Sequence, residues 1–171
     1  VIRIKKGGAI MRSAVVYYSL TGNTGLVSKM IAERLGADLI KLQPDKEVPE
    51  SGAKKYLIGS KSVMLNEKPK LLNEDLNLEG YDTLIIGTPI WARSYVPAVN
   101  TFLSEYVIKD KNIYIFTLHG PGMKTEPCYA KMKEKLTRNI IKGTADFEDV
   151  KKMSAKELDD KVRKFCRMII E

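Results

Sequence analysis

Residues 14–25 read Ala-Val-Val-Tyr-Tyr-Ser-Leu-Thr-Gly-Asn-Thr-Gly, and the fold is decided there. Ala14 to Tyr18 is a short apolar run without polar alternation, which suits a strand buried on both faces in the middle of a parallel sheet. Beyond the glycines, Val27, Met30, Ile31 and Leu35 recur at helical spacing. Ser19 to Thr24 therefore lies where a strand ends and a helix begins, with the helix's unpaired N–H groups facing whatever fills the turn. Ser19, Thr21 and Thr24 offer hydroxyls, Asn23 offers an amide, and Gly22 and Gly25 let the backbone come close, with no Lys or Arg among them. Such a loop suits a phosphate held by neutral donors and a helix dipole. The same residue types also make an ordinary N-cap and turn, and the loop alone does not separate the two. Neither the Walker pattern G-x-x-x-x-G-K nor the dinucleotide pattern G-x-G-x-x-G is present in it.

Ser19-Leu20-Thr21-Gly22-Asn23-Thr24 after an apolar strand resembles the phosphate loop of the flavodoxin family, a Ser or Thr followed by x-T-G-x-T, which binds flavin mononucleotide (FMN). A second segment, Leu84-Ile85-Ile86-Gly87-Thr88-Pro89-Ile90-Trp91-Ala92, is similar to the strand and loop of short flavodoxins that close over the isoalloxazine ring. Two motifs in the expected order are far more specific than one, and the resemblance covers most of the chain from Met11 onward. It implies an α/β fold: a three-layer, doubly wound, five-stranded parallel sheet in the order 2-1-3-4-5, with FMN where the strand order reverses. By the same resemblance Ser19, Thr21, Gly22, Asn23 and Thr24 form the phosphate set. Thr88, Pro89, Ile90, Trp91, Ala92 and Arg93, with Leu118, His119, Gly120 and Gly122, form the ring set.

The chain of 171 residues is ample for one domain and short for two. No run of 18 apolar residues and no signal-like apolar core exists, so a cytoplasmic protein with no membrane span is expected. Residues 1–10 fit poorly with the rest of the chain, carrying Arg3, Lys5 and Lys6 and a Gly-Gly break. They read as an N-terminal extension upstream of a native start at Met11, or as an extra edge strand; without them the net charge falls from +8 to +5. Residues 11–171 make the domain. Cys128 and Cys166 have no C-x-x-C spacing and no nearby histidine, so free, buried thiols are expected rather than a metal site or redox pair.

Further strands are expected at Ala37 to Leu42, near a sheet edge, and at Thr83 to Gly87, Asn112 to Leu118 and Ile140 to Ala145. Helices are expected around Lys54 to Met64, from Pro97, over Pro127 to Leu136, and after the capping box of Ser154 and Glu157. Tyr56, Leu57 and Val63 are expected to pack on the sheet. Ile90 to Tyr95 reads as a surface loop in which Trp91 either stacks on a planar ring or seals the core. Arg93 is the one charge between Gly87 and Asn100, where many flavodoxins carry acids. Beside the pyrimidine end of a flavin it would favour the reduced anion, by up to about 4 kcal/mol at 4 Å and an effective dielectric near 20; otherwise it is a solvated arginine. His119 is the only histidine, a flavin contact or proton donor at most, with no partner in Ser-His-Asp order.

Rivals of the same architecture fail on the first loop, which has neither the acidic pair of a receiver domain nor the C-x-x-x-x-x-R of a low-molecular-weight phosphatase. The lysines are interleaved with acids rather than grouped with aromatics, which disfavours nucleic acid as a partner. The resemblance thus implies an FMN-binding electron carrier between redox proteins, whose surfaces would be acidic to suit the basic balance of the chain. The alternative within the flavin class is an NAD(P)H-dependent FMN or quinone oxidoreductase acting on a small organic acceptor. No residue is assigned a catalytic or metal-binding role, and the oligomeric state is open.

Overall fold

The computed structural model describes residues 5–6, 9–48, 54–73 and 76–171, side chains at positions 5, 6, 9, 10 and 54–56 excepted. Five strands carry the fold: β1 (Ser13–Tyr17), β2 (Asp38–Lys41), β3 (Thr83–Trp91), β4 (Asn112–His119) and β5 (Ile140–Glu148). The helices are α1 (Asn23–Leu35), α2 (Lys54–Met64), α3 (Pro97–Glu105), α4 (Glu126–Lys135) and α5 (Ala155–Ile170). The strands pair in parallel in the order β2-β1-β3-β4-β5, the doubly wound order that the flavodoxin resemblance implied. The order reverses between β1 and β3.

The lack of polar alternation in the central strands has a plain cause, because each side of the sheet has its own core. Val16, Leu84, Ile86, Ile113 and Ile115 pack with Val99 and Phe102 of α3 and Met132 of α4. Val15, Ile85, Tyr114 and Phe116 pack on the other side with Val27 and Ile31 of α1 and Val162 and Phe165 of α5. β2 is the outer strand next to β1, and three of its four residues are exposed. α5 starts on the expected capping box, in which the Ser154 hydroxyl accepts from the Glu157 N–H and the Glu157 carboxylate accepts from the Ser154 N–H.

Three expectations change. β3 does not stop at Gly87 but runs to Trp91, and the expected loop is a hairpin that pairs Ile90 with Tyr95 and Trp91 with Ser94. Ile90 and Tyr95 are both buried, so extending the strand hides two large side chains that a loop would have exposed. Leu57 does not pack on the sheet; it is 73% exposed, and Gly59 and Ser62 are the buried ones among residues 57–64 of α2. At the N-terminus Lys5–Lys6 pairs antiparallel with Ala9–Ile10 in a two-stranded sheet of its own, so the described part of that segment adds no strand to the main sheet. Val1, Ile2, Ile4 and the Gly-Gly break lie outside the described residues, as do the side chains of Lys54, Lys55 and Tyr56.

Candidate functional site

After β1, the chain turns at Gly22, whose φ of 87° lies in the left-handed region that suits a glycine. Gly22 is the N-cap of α1, its carbonyl accepts from the Leu26 N–H at 2.9 Å, and no side chain caps the helix. The hydroxyls and amide of this loop are therefore not spent on capping α1. Ser19 is 6% exposed, Thr24 is buried, Asn23 is half-buried and Thr21 is exposed.

These four residues form one wall of a cavity of about 460 Å³ outside the carboxyl ends of β1, β3, β4 and β5. Pro89, Ile90, Trp91 and Ala92 of the β3 hairpin line a second wall, and Leu118, His119 and Gly120 at the end of β4 a third. Two buried side-chain polar atoms among the described residues have no hydrogen-bond partner, Ser19 Oγ and His119 Nε2, and both residues line this cavity. A buried polar atom left unpaired costs about 1–3 kcal/mol, so a cavity that concentrates both is built for an occupant with complementary groups. His119 Nδ1 is 2.8 Å from the Gly120 carbonyl, to which it can only donate. Nδ1 therefore carries a proton, and Nε2 lies 3.5 Å from Asp146 Oδ2.

Trp91 is held from two sides. Its ring makes an edge contact with Tyr18, centroids 5.9 Å apart at 90°, and lies against the backbone of Gly59 in α2. It thus both packs on the core and lines the cavity. The hairpin turn after it places Ala92 at φ 45° and Arg93 at φ 61°, the pattern of a type I′ turn built without Asn or Gly.

Four residues expected in the site lie off the cavity wall. Thr88 is fully buried; its hydroxyl donates to the Pro89 carbonyl at 2.9 Å and accepts from the Val96 N–H at 3.4 Å, bracing the hairpin from behind. Arg93 is exposed at the hairpin tip. Gly122, at φ 68°, gives its N–H to Glu148 Oε1 at 2.7 Å and so ties the loop after β4 to β5. Gly22 faces a second hollow, shared with Tyr17, Gly25 and Lys41. Conversely, Gly59, Ser60, Met123, Phe147, Asp149, Val150 and Lys151 line the cavity without having been expected there. Asp149 to Lys151 follows β5, which runs three residues beyond the expected Ala145 and brings this turn to the cavity.

Cys128 and Cys166 are free and buried away from the cavity wall, and burial pushes their thiols up to about 12 and about 11. Among the described residues no group of His, Cys, Asp and Glu could hold a metal ion, and no helix is long and apolar enough to cross a membrane.

The sequence profile of a family described as flavodoxin matches residues 12–165. The chain belongs to the flavodoxin family. Solved structures agree on the flavodoxin fold. A Bacteroides uniformis protein described as a flavoprotein superposes with a TM-score of 0.72 at 19% identity, over 90% of this chain and 98% of that one. One from Bacteroides eggerthii gives 0.71 at 17% identity, over 94% and 99%. A Lactobacillus acidophilus flavoprotein solved in complex with FMN gives 0.65 at 17% identity, over 80% and 93%. No curated protein matches this flavodoxin in sequence.

Proposed function

We propose that this flavodoxin binds one FMN non-covalently in the cavity and carries electrons between redox proteins. The observation that carries the reading is that Ser19 Oγ and His119 Nε2, the two buried side-chain polar atoms without a hydrogen-bond partner among the described residues, belong to residues on the walls of one cavity. Ser19, Thr21, Asn23 and Thr24 would hold the phosphate with hydroxyl, amide and first-turn N–H groups, at a helix start that has no side-chain cap. Hydrogen bonds to such a charged group contribute about 1.5–3 kcal/mol each, enough to hold it without a cation. Trp91 and Ala92 on one side, and Leu118 to Gly120 on the other, would flank the ring and keep water from its faces. When bound, the flavin supplies reversible one- and two-electron chemistry, and the protein supplies binding, orientation and electrostatics.

A net charge of +8 favours partners with acidic faces, by steering at low salt. Two free, buried thiols suit the reducing cytoplasm. The test is reconstitution: FMN added to the apo-protein should lose its fluorescence with 1:1 stoichiometry, and Ser19→Ala should bind it about tenfold more weakly or worse. Undiminished FMN fluorescence with the unmodified protein at micromolar concentration would refute the reading.

A further inference from the structure

Sequence patterning alone would turn the apolar residues of α2 inward, yet Leu57 is 73%, Ile58 43% and Met64 80% exposed, and Leu65, just past the helix end, is 61% exposed. With Lys61 these residues fall on one face, and they span the nine residues 57–65, about 12 Å along the helix axis. The same helix lines the cavity through Gly59 and Ser60, so the exposed stripe borders the cavity mouth. Exposed apolar surface of this kind, set against polar surroundings, marks an interaction site.

Four cations without an ion-pair partner among the described residues stand around the mouth. Lys61 follows Ser60, Arg93 follows Ala92, Lys124 follows Met123, and Lys151 is itself on the wall; all four are exposed and none has an ion pair among the described residues. The carboxylates nearby are engaged. Asp149 pairs with Lys152 at 2.8 Å, and Glu148 accepts from the Gly122 N–H. Residues 54–66 contain three lysines and no acid.

We infer that this face docks a redox protein whose own docking surface is apolar at its centre and acidic at its margin. The inference deepens the proposed function and rests on the cavity being the redox site. A second copy of the chain is a poor occupant, because a two-fold contact would set Lys61 and its neighbouring cations against their own copies. A small acceptor would leave most of a 12 Å stripe uncovered. The four cations speed encounter and the aliphatic side chains hold the complex once formed, so binding weakens steeply as salt rises.

The test uses the full-length, isotope-labelled protein, titrated at low salt with an oxidised acidic [2Fe–2S] ferredoxin and followed by amide signals. Shifts and paramagnetic broadening are expected at residues 57–65, 92–93, 123–124 and 151, and should vanish at about 0.5 M salt. The double variant Lys61→Glu with Met64→Ser, both residues exposed and off the cavity wall, should weaken the complex about tenfold while FMN binding stays unchanged. Signals perturbed elsewhere, no perturbation, an unaffected variant, or concentration-dependent shifts without ferredoxin would overturn the inference. So would preferential binding to phosphatidylserine vesicles. FMN quenching on the same sample separates the two readings: FMN bound without ferredoxin contact removes the docking face alone, and contact without FMN removes the cofactor reading.

Discussion

The Trp91 indole rests on the backbone of Gly59, so closely that a Cβ at position 59 would lie 3.0 Å from Trp91 Cε3. This contact sets the position of the one aromatic ring on the hairpin side of the cavity. Gly59→Ala should therefore push the indole by a few tenths of an ångström and lower FMN affinity, by about three- to tenfold. Stability should not fall in step, since alanine in a helix interior is favoured over glycine by about 0.8–1 kcal/mol, which offsets the crowding. Parallel FMN titration and thermal unfolding would check both outcomes; equal affinity in the two proteins would show that the contact does not position the ring.

The turn at Ala92 and Arg93 holds two side chains at positive φ where Asn-Gly is the natural pair. Each such residue costs about 1–2 kcal/mol. The double change Ala92→Asn with Arg93→Gly should raise the thermal midpoint by several degrees, given roughly 2–4 °C per kcal/mol for a domain of this size. An unchanged midpoint in calorimetry would mean that the turn stores no strain.

Acid sensitivity should reside partly between α1 and α5. The Arg34 guanidinium, 2.8 Å from Asp159, and then that of Arg163, at 2.7 Å, hold the Asp159 carboxyl below its usual range. The Ser154 hydroxyl and N–H do the same for Glu157. A carboxyl lowered in the folded state binds fewer protons there than in the unfolded chain, so stability rises with pH between the two values. The contribution is complete above the ordinary carboxylate pKa, about 4, and is lost as pH falls through the lowered folded value. Asp159→Asn should therefore be less stable than the unmodified protein in urea at pH 7, and the gap should close as the pH drops below about 4. A gap independent of pH would contradict this.

How much of this was legible varied from element to element, for physical reasons. Apolar β1 and β3, with the Gly22 turn between β1 and α1, betray themselves because a strand buried on both faces needs no alternation. The β3 hairpin was hidden because Ala-Arg carries none of the residue chemistry that announces a type I′ turn. α2 misled for the opposite reason. Its apolar stripe looks like any core-facing stripe, but the space beneath the helix is filled by Trp91, which leaves room only for small residues such as Gly59. The wall from Asp149 to Lys151 carries no motif, and its place follows only from the length of β5.

The central claim is that Ser19 to Thr24 grips a phosphate, and comparing FMN with riboflavin, which lacks that group, tests it most directly. The apo-protein should bind FMN at least about a hundredfold more tightly than riboflavin, as two or more charge-assisted hydrogen bonds at about 1.5 kcal/mol each require. Equal affinities for the two flavins would contradict the account.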